Sequence, residues 1–179
     1  MRTLGLALAA SALLLAAPAQ AAARKDWDRA STAGEAGLVA LALGLPAAKG
    51  DGKGAVQAGA SMAAALGVTT GLKHGFPELR PDESDRLSFP SGHTSVSFAA
   101  AATIQQRYGW KIGLPATVAA GFVGLARVEA RKHHWYDVAV GAGIGELSGI
   151  LITSRRGQRV EVLPFADTKG GGFVAGMRF

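Results

Sequence analysis

Pro90-Ser91-Gly92-His93, followed by Thr94-Ser95-Val96-Ser97-Phe98-Ala99-Ala100-Ala101-Ala102-Thr103-Ile104-Gln105-Gln106-Arg107-Tyr108, is the stretch on which the fold turns. Proline closes the preceding loop, Ser91 is a good N-cap, and the small-residue run behind it fits a helix over 94–108. Gly92 lets the backbone come close to an anion while the unpaired amides of the first turn point at it. The plainer reading is an ordinary capped turn with His93 half-exposed beside it.

Outward from this stretch the same composition repeats. Apolar, helix-like sequence covers 34–48 and stops at Lys49-Gly50-Asp51-Gly52-Lys53-Gly54, and an alanine-rich helix fits 55–72. Pro77, Pro81 and Pro90 make 74–90 a loop, and helices fit 112–126 and 136–153. The expected fold class is therefore all-α, a compact bundle of about five helices. At the end, 159–163 alternates, 167–172 is turn-like and 172–179 fits a returning strand, so a short C-terminal β-hairpin is expected over 156–179. The terminal Phe179 resembles the closing residue of an outer-membrane barrel strand, but one hairpin cannot close a barrel.

Residues 1–21 fit a secretory signal peptide: Arg2 is the positive start, 4–17 the apolar run, and Ala19-Gln20-Ala21 the small-residue cleavage site. An uncleaved anchor is the alternative. Residues 22–33 are charged and form an expected exposed polar lead-in, leaving 34–155 as the helical domain. Cysteine is absent, so an exported chain of this sequence relies on its core without disulfides. The formal net charge of +6 suits an anionic partner. Export and the lack of aromatic-basic interleaving exclude nucleic acid, which leaves small phosphate esters, lipid headgroups or an anionic membrane surface. The helices are near spanning length yet built from Ala, Gly, Ser and Thr, so a soluble and a membrane-embedded bundle both fit.

The chemistry lies in two stretches. Lys73 and Arg80 flank a proline-containing loop and can close on an anion, Arg with a planar fork and Lys as a mobile charge. Arg127, His133 and Asp137 form the second unit; His133 and Asp137 are i, i+4, which places them on one helix face. An aspartate that keeps one ring nitrogen protonated leaves the other free to attack. His134 is the rival at i, i+3, and spacing favours His133 only slightly. Glu78, Asp82, Glu83, Asp85 and Arg86 read as solvated charges, as do Arg131 and Lys132, for which contact with an anionic headgroup is the alternative.

Taken in order, Lys73 with six residues to Arg80-Pro81, then Pro90-Ser91-Gly92-His93, then Arg127 with five residues to His133 and three more to Asp137, resembles the type-2 phosphatidic acid phosphatase superfamily. That group includes lipid phosphate phosphatases, bacterial non-specific acid phosphatases and vanadium haloperoxidases. The resemblance implies that His133 is the nucleophile that becomes phosphorylated, oriented by Asp137, and that His93 protonates the departing oxygen. It implies phosphate binding by Lys73, Arg80 and Arg127, with Ser91 and the Gly92 amide completing the cradle, and no metal or other cofactor. The family usually has serine before the third-motif arginine, where this chain has Ala126; one hydrogen bond to phosphate is lost at most. The Lys132-His133-His134-Trp135 string also resembles the lipid-phosphate branch.

The expected function is a metal-independent phosphatase hydrolysing phosphate monoesters or diphosphates, lipid-linked, exported and facing the periplasm, through a phosphohistidine. Three rivals stand beside it: a soluble periplasmic acid phosphatase, a vanadate-dependent haloperoxidase, and a non-catalytic envelope protein that binds anions.

Overall fold

Small side chains decide how closely the helices of this chain approach one another. The computed structural model describes residues 2–155, 160–167 and 170–177. Five helices carry the fold: α1 (Arg2–Ala48), α2 (Gly52–Gly75), α3 (Gly92–Tyr108), α4 (Trp110–Glu129) and α5 (Trp135–Ile152). The chain is all-α in class, and the ends of α2 to α5 fall within a turn of where the sequence places them. Beyond α5, β1 (Val160–Asp167) and β2 (Gly170–Met177) pair antiparallel, with Val160 opposite Met177 and Asp167 opposite Gly170. Phe179 lies outside the described residues.

Residues 22–33 are part of α1, continuous with 34–48, and most of them are exposed. No Gly or Pro interrupts them, and Ala, Arg and Lys favour helix. Their polar side chains also have work in the interior. Ser31 is fully buried, and the Trp27 ring lies 6.1 Å from that of Phe122 on α4.

α3 is the hub and packs against all four other helices. Ala99, Ala100 and Ala101 are consecutive and all fully buried, so the helix is covered on every side. Its closest neighbour is α5, whose buried residues are Asp137, Gly141, Gly145 and Gly149. That four-residue repeat draws one stripe along the helix. A Cβ on Gly145 would stand 2.2 Å from the Ser95 carbonyl oxygen, and one on Gly149 would stand 2.4 Å from Ala102 Cβ. The stripe lets backbone meet backbone, and it sets the register that delivers Asp137 to the start of α3.

The core is made mostly of small residues, joined by Leu38, Met62, Ile104 and Val123, while many of the large ones face outward. Ala42, Ala58, Ala65, Ala116 and Ala120 are buried, whereas Leu114, Val118, Phe122 and Leu125 of α4 and Val56, Leu66 and Val68 of α2 are exposed. In water this arrangement would forfeit the main driving force for folding; in lipid it costs nothing. The segment Gln20–Ala48 of α1, together with α2 and α4, is long and apolar enough to cross a membrane. The sequence admitted both solvents, and the outward-facing side chains decide for a membrane-associated protein.

At one end of the bundle Asp51 caps α2 by accepting from Gly54 N at 3.0 Å. The same carboxylate takes the Arg107 guanidinium in a two-pronged pair (Nε to Oδ2 2.8 Å, Nη2 to Oδ1), and Tyr108 Oη donates to it at 2.9 Å. Arg107 Nη1 reaches the Ser154 carbonyl at 3.0 Å. One buried ion pair thus ties the α1–α2 turn to the ends of α3 and α5. The catalytic candidates gather at the other end.

Candidate active site

The end of α4 builds the centre. Arg127 sits in its last turn, and Arg131 then takes a left-handed backbone (φ 57°) that turns the chain back. The Arg127 carbonyl accepts from both Lys132 N (3.0 Å) and His133 N (3.3 Å). The residue that supplies a guanidinium therefore also anchors the backbone of the histidine.

His133 is 2 % exposed and Asp137 fully buried, with His133 Nδ1 3.5 Å from Asp137 Oδ2. On the other edge of the ring, Arg80 Nη1 stands 3.3 Å from His133 Nε2. A guanidinium only donates, so Nε2 carries the lone pair and Nδ1 the proton, facing the carboxylate. Asp137 Oδ2 accepts from Ser88 Oγ at 2.6 Å and from His134 N at 2.8 Å. Burial alone would raise the Asp137 pKa, but the His133 ring, Ser88 and the His134 amide together hold it down to about 2. His133 is pushed down to about 4, first by burial and then by Arg127, Arg80 and Lys73, against the pull of Asp137. It is neutral at neutral pH, as an attacking nitrogen must be.

The cations come from separate elements. Lys73, in the last turn of α2, donates to the Leu87 (2.6 Å) and Ser88 (3.3 Å) carbonyls and pins the loop over the site. Arg80 Nε binds Asp85 at 2.7 Å, and its Nη1 donates to the Lys132 carbonyl at 3.0 Å. Arg127 Nη1 binds Asp28 and, at 3.2 Å, Ser31 Oγ. Arg127 Nε is buried and has no acceptor among the described residues. Asp28, Thr32, Arg80, Asp85, His93 and Arg127 line a cleft of about 300 Å³.

His93 faces this cleft from the first turn of α3, with Nε2 3.4 Å from Glu35 Oε2 and 3.4 Å from Thr32 Oγ1. Its pKa is lowered to about 4, mainly by burial, with Arg127, His133 and Arg80 adding to the effect and Asp28 opposing it. Ser91 is buried and engaged as the cap: its Oγ accepts from Thr94 Oγ1 at 2.9 Å and Thr94 N at 3.4 Å, and its amide donates to the Asp137 carbonyl at 3.0 Å. Gly92 is half-buried, and a Cβ there would meet only Thr69 Cγ2, at 3.9 Å. Arg80, Arg127 and His93 thus line the cleft, Arg80 reaches the buried His133–Asp137 pair, Lys73 pins the loop, and the Ser91 side chain stays in the helix cap.

His134 takes a different part. It is the N-cap of α5, a third exposed, and its ring stacks on Tyr136 at 5.0 Å between centroids. Glu78, His134 and Asp137 each bring one donor atom within 4.8 Å of the others, close enough to hold a cation.

A family model described as the PAP2 superfamily matches residues 54–161. The chain belongs to the PAP2 superfamily. The lipid A 1-phosphatase of Porphyromonas gingivalis is 36 % identical over 123 residues, covering 66 % of this chain and 26 % of that protein. The lipid A 4'-phosphatase of Helicobacter pylori is 35 % identical over 101 residues, half of each chain. This PAP2 chain therefore spans between a quarter and a half of the length of these relatives. The fold is similar to that of Aquifex aeolicus LpxE, with a TM-score of 0.61 over 71 % of this chain and 82 % of that one at 23 % identity. It is also similar to the first transmembrane PAP2 type phosphatidylglycerolphosphate phosphatase from Bacillus subtilis, with a TM-score of 0.51 over 82 % and 89 % at 22 % identity.

Several residues around the candidate site were not legible as such. Asp82 and Asp85, expected as solvated charges, bind Lys132 (2.6 Å) and Arg80, and Glu78 accepts from Tyr136 Oη. Ser88, Asp28, Ser31 and Glu35 lie outside the three motifs. Only Glu35 carried a signal, being the one ionisable residue in the apolar run 34–48.

Proposed function

We propose that this chain is a metal-independent phosphatase acting on phosphate monoesters or diphosphates of lipids through a phosphohistidine on His133. The observation that carries the reading is the two-edged setting of that ring, with Nδ1 against Asp137 and a lone pair on Nε2 beside the Arg80 guanidinium. An incoming phosphoryl group draws Arg80 and Arg127 onto its oxygens and brings phosphorus to the nitrogen that Arg80 covers. The P–N bond forms as the P–O bond breaks, Asp137 stabilises the imidazolium, and His93 protonates the departing oxygen. Water then attacks phosphorus, gives its proton to His93, and frees His133.

A lipid-linked substrate is supported by the apolar outer surface and by relatives named for lipid A and phosphatidate. Export through residues 1–21 and a cleft open to the periplasm complete the proposal. The test is phosphate release from p-nitrophenyl phosphate, phosphatidic acid, lipid A and a polyprenyl diphosphate, with and without chelator. Release from the lipids that persists in EDTA is expected. Activity lost in EDTA and restored by one divalent ion would move the chemistry to the Glu78–His134–Asp137 group and refute the metal-free course.

A further inference from the structure

The two candidate catalytic histidines stand in parallel settings. His133 has a carboxylate against one ring nitrogen, and so does His93, from a helix that no motif includes. Glu35 Oε2 lies 3.4 Å from His93 Nε2, on the same edge as Thr32 Oγ1. Both Glu35 and Thr32 belong to α1, one turn apart.

Placing Glu35 there is expensive. It is the sole ionisable residue of 34–48, in a helix long and apolar enough to cross a membrane, and its side chain is only 23 % exposed. The helix is also seated tightly beside it. A Cβ on Gly34 would stand 2.9 Å from Val123 Cγ2, so the glycine lets α1 close on α4 next to the carboxylate. A carboxylate held in this way on a histidine edge fixes ring orientation and retains a proton.

We infer that Glu35 is a positioning residue for His93: it grips Nε2 and keeps the Glu35–His93 pair singly protonated, so that the ring donates to the leaving oxygen from its other nitrogen. The inference rests on the phosphatase reading. Without such a partner His93 would be a poor acid, since Arg127 on α4, Arg80 in the loop and His133 all face it and oppose a charge, with Asp28 on α1 the other carboxylate in reach. In the first step the leaving oxygen takes the pair's proton with the electrons of the broken P–O bond. In the second, the attacking water returns one proton to the pair, so the cycle closes.

The test compares wild type and Glu35→Gln on p-nitrophenyl phosphate, which departs without a proton, and on phosphatidic acid, which needs one. The amide keeps size and hydrogen bonding but cannot hold the pair's proton. Glu35→Gln is expected to lose about tenfold or more of kcat on phosphatidic acid at neutral pH and much less on p-nitrophenyl phosphate. The alkaline limb of its pH profile should move toward acid by about one pH unit or more. In a His93→Ala background the same substitution should add nothing to the leaving-group preference. Should Glu35→Gln fail to accumulate, Glu35→Asp draws the carboxylate back by one methylene and moves the limb in the same direction by less. An active wild type whose limb neither variant moves, or a Glu35→Gln equally impaired on both substrates, overturns this inference alone. A wild type that releases phosphate from neither substrate overturns the phosphatase reading with it.

Discussion

Two glycines of α5, two residues apart, should respond to the same substitution with opposite signs. Gly143 has nothing within 4 Å of the position a Cβ would take, whereas at Gly145 that atom would stand 2.2 Å from the Ser95 carbonyl oxygen and 2.8 Å from Ala99 N. Gly143→Ala therefore gains only helix propensity, about 1 kcal/mol. Gly145→Ala gains the same but must restore a contact of at least 3.4 Å against backbone that cannot rotate away, so α3 and α5 separate locally by about 1 Å. Overpacking of this kind costs about 1–3 kcal/mol, and rigid neighbours put it at the upper end. The gap between the variants is then about 3 kcal/mol, or roughly 6–12 °C in Tm for a chain of this size. Activity should separate further, because α5 carries Asp137 two turns upstream and a misplacement of about 1 Å can cost on the order of a hundredfold. Thermal unfolding in detergent micelles, with phosphate release measured on the same preparations, checks both. A Gly145→Ala protein as stable and as active as Gly143→Ala would refute the close approach of α3 and α5.

His133→Ala should abolish turnover and the trapping of labelled phosphohistidine, while His134→Ala, which removes a helix cap and a ring stack, should keep most activity; equal losses would reverse the assignment. Ser88→Ala removes the 2.6 Å hydrogen bond to Asp137 and should cost about 1.5–3 kcal/mol of stability, as a bond to a charged group does, with the pKa of Asp137 rising; chemical denaturation measures it, and an unchanged midpoint would mean that His134 N suffices. Because His133 sits near pKa 4 when folded and near 6.5 when unfolded, the unfolded chain binds more protons at this residue between those values. The stability it contributes should therefore be fully present above about pH 6.5 and fall as pH drops toward 4, and the fall should shrink in a His133→Ala variant; a fall of the same size in that variant would refute it. Arg107→Leu leaves Asp51 charged and buried, and should cost about 3–5 kcal/mol, seen as a lowered unfolding midpoint, while the kcat of folded protein stays near that of wild type.

Much of the candidate site was legible because phosphate chemistry calls for particular residue types at spacings the local chain controls. Lys73, Arg80, His93, Arg127, His133 and Asp137 could be named as candidates from order and interval, while helical period favoured His133 over His134 only slightly. The five helices were legible too, since alanine-rich runs punctuated by Gly and Pro leave few other choices.

What the chain could not show by itself is what meets across the bundle. Asp28 and Ser31 read as part of an exposed lead-in, and Glu35 has no evident partner in the sequence, until α1 is laid on α3 and α4, because partners more than 50 residues apart leave no local period. Asp82 and Asp85 look like any loop carboxylates until Lys132 and Arg80 are beside them. The choice between water and lipid also waited on the tertiary structure. Composition gives the average polarity of a helix, but only packing says which side of it is outside, and here many alanines turn inward while Leu114, Val118, Phe122 and Leu125 of α4 face out.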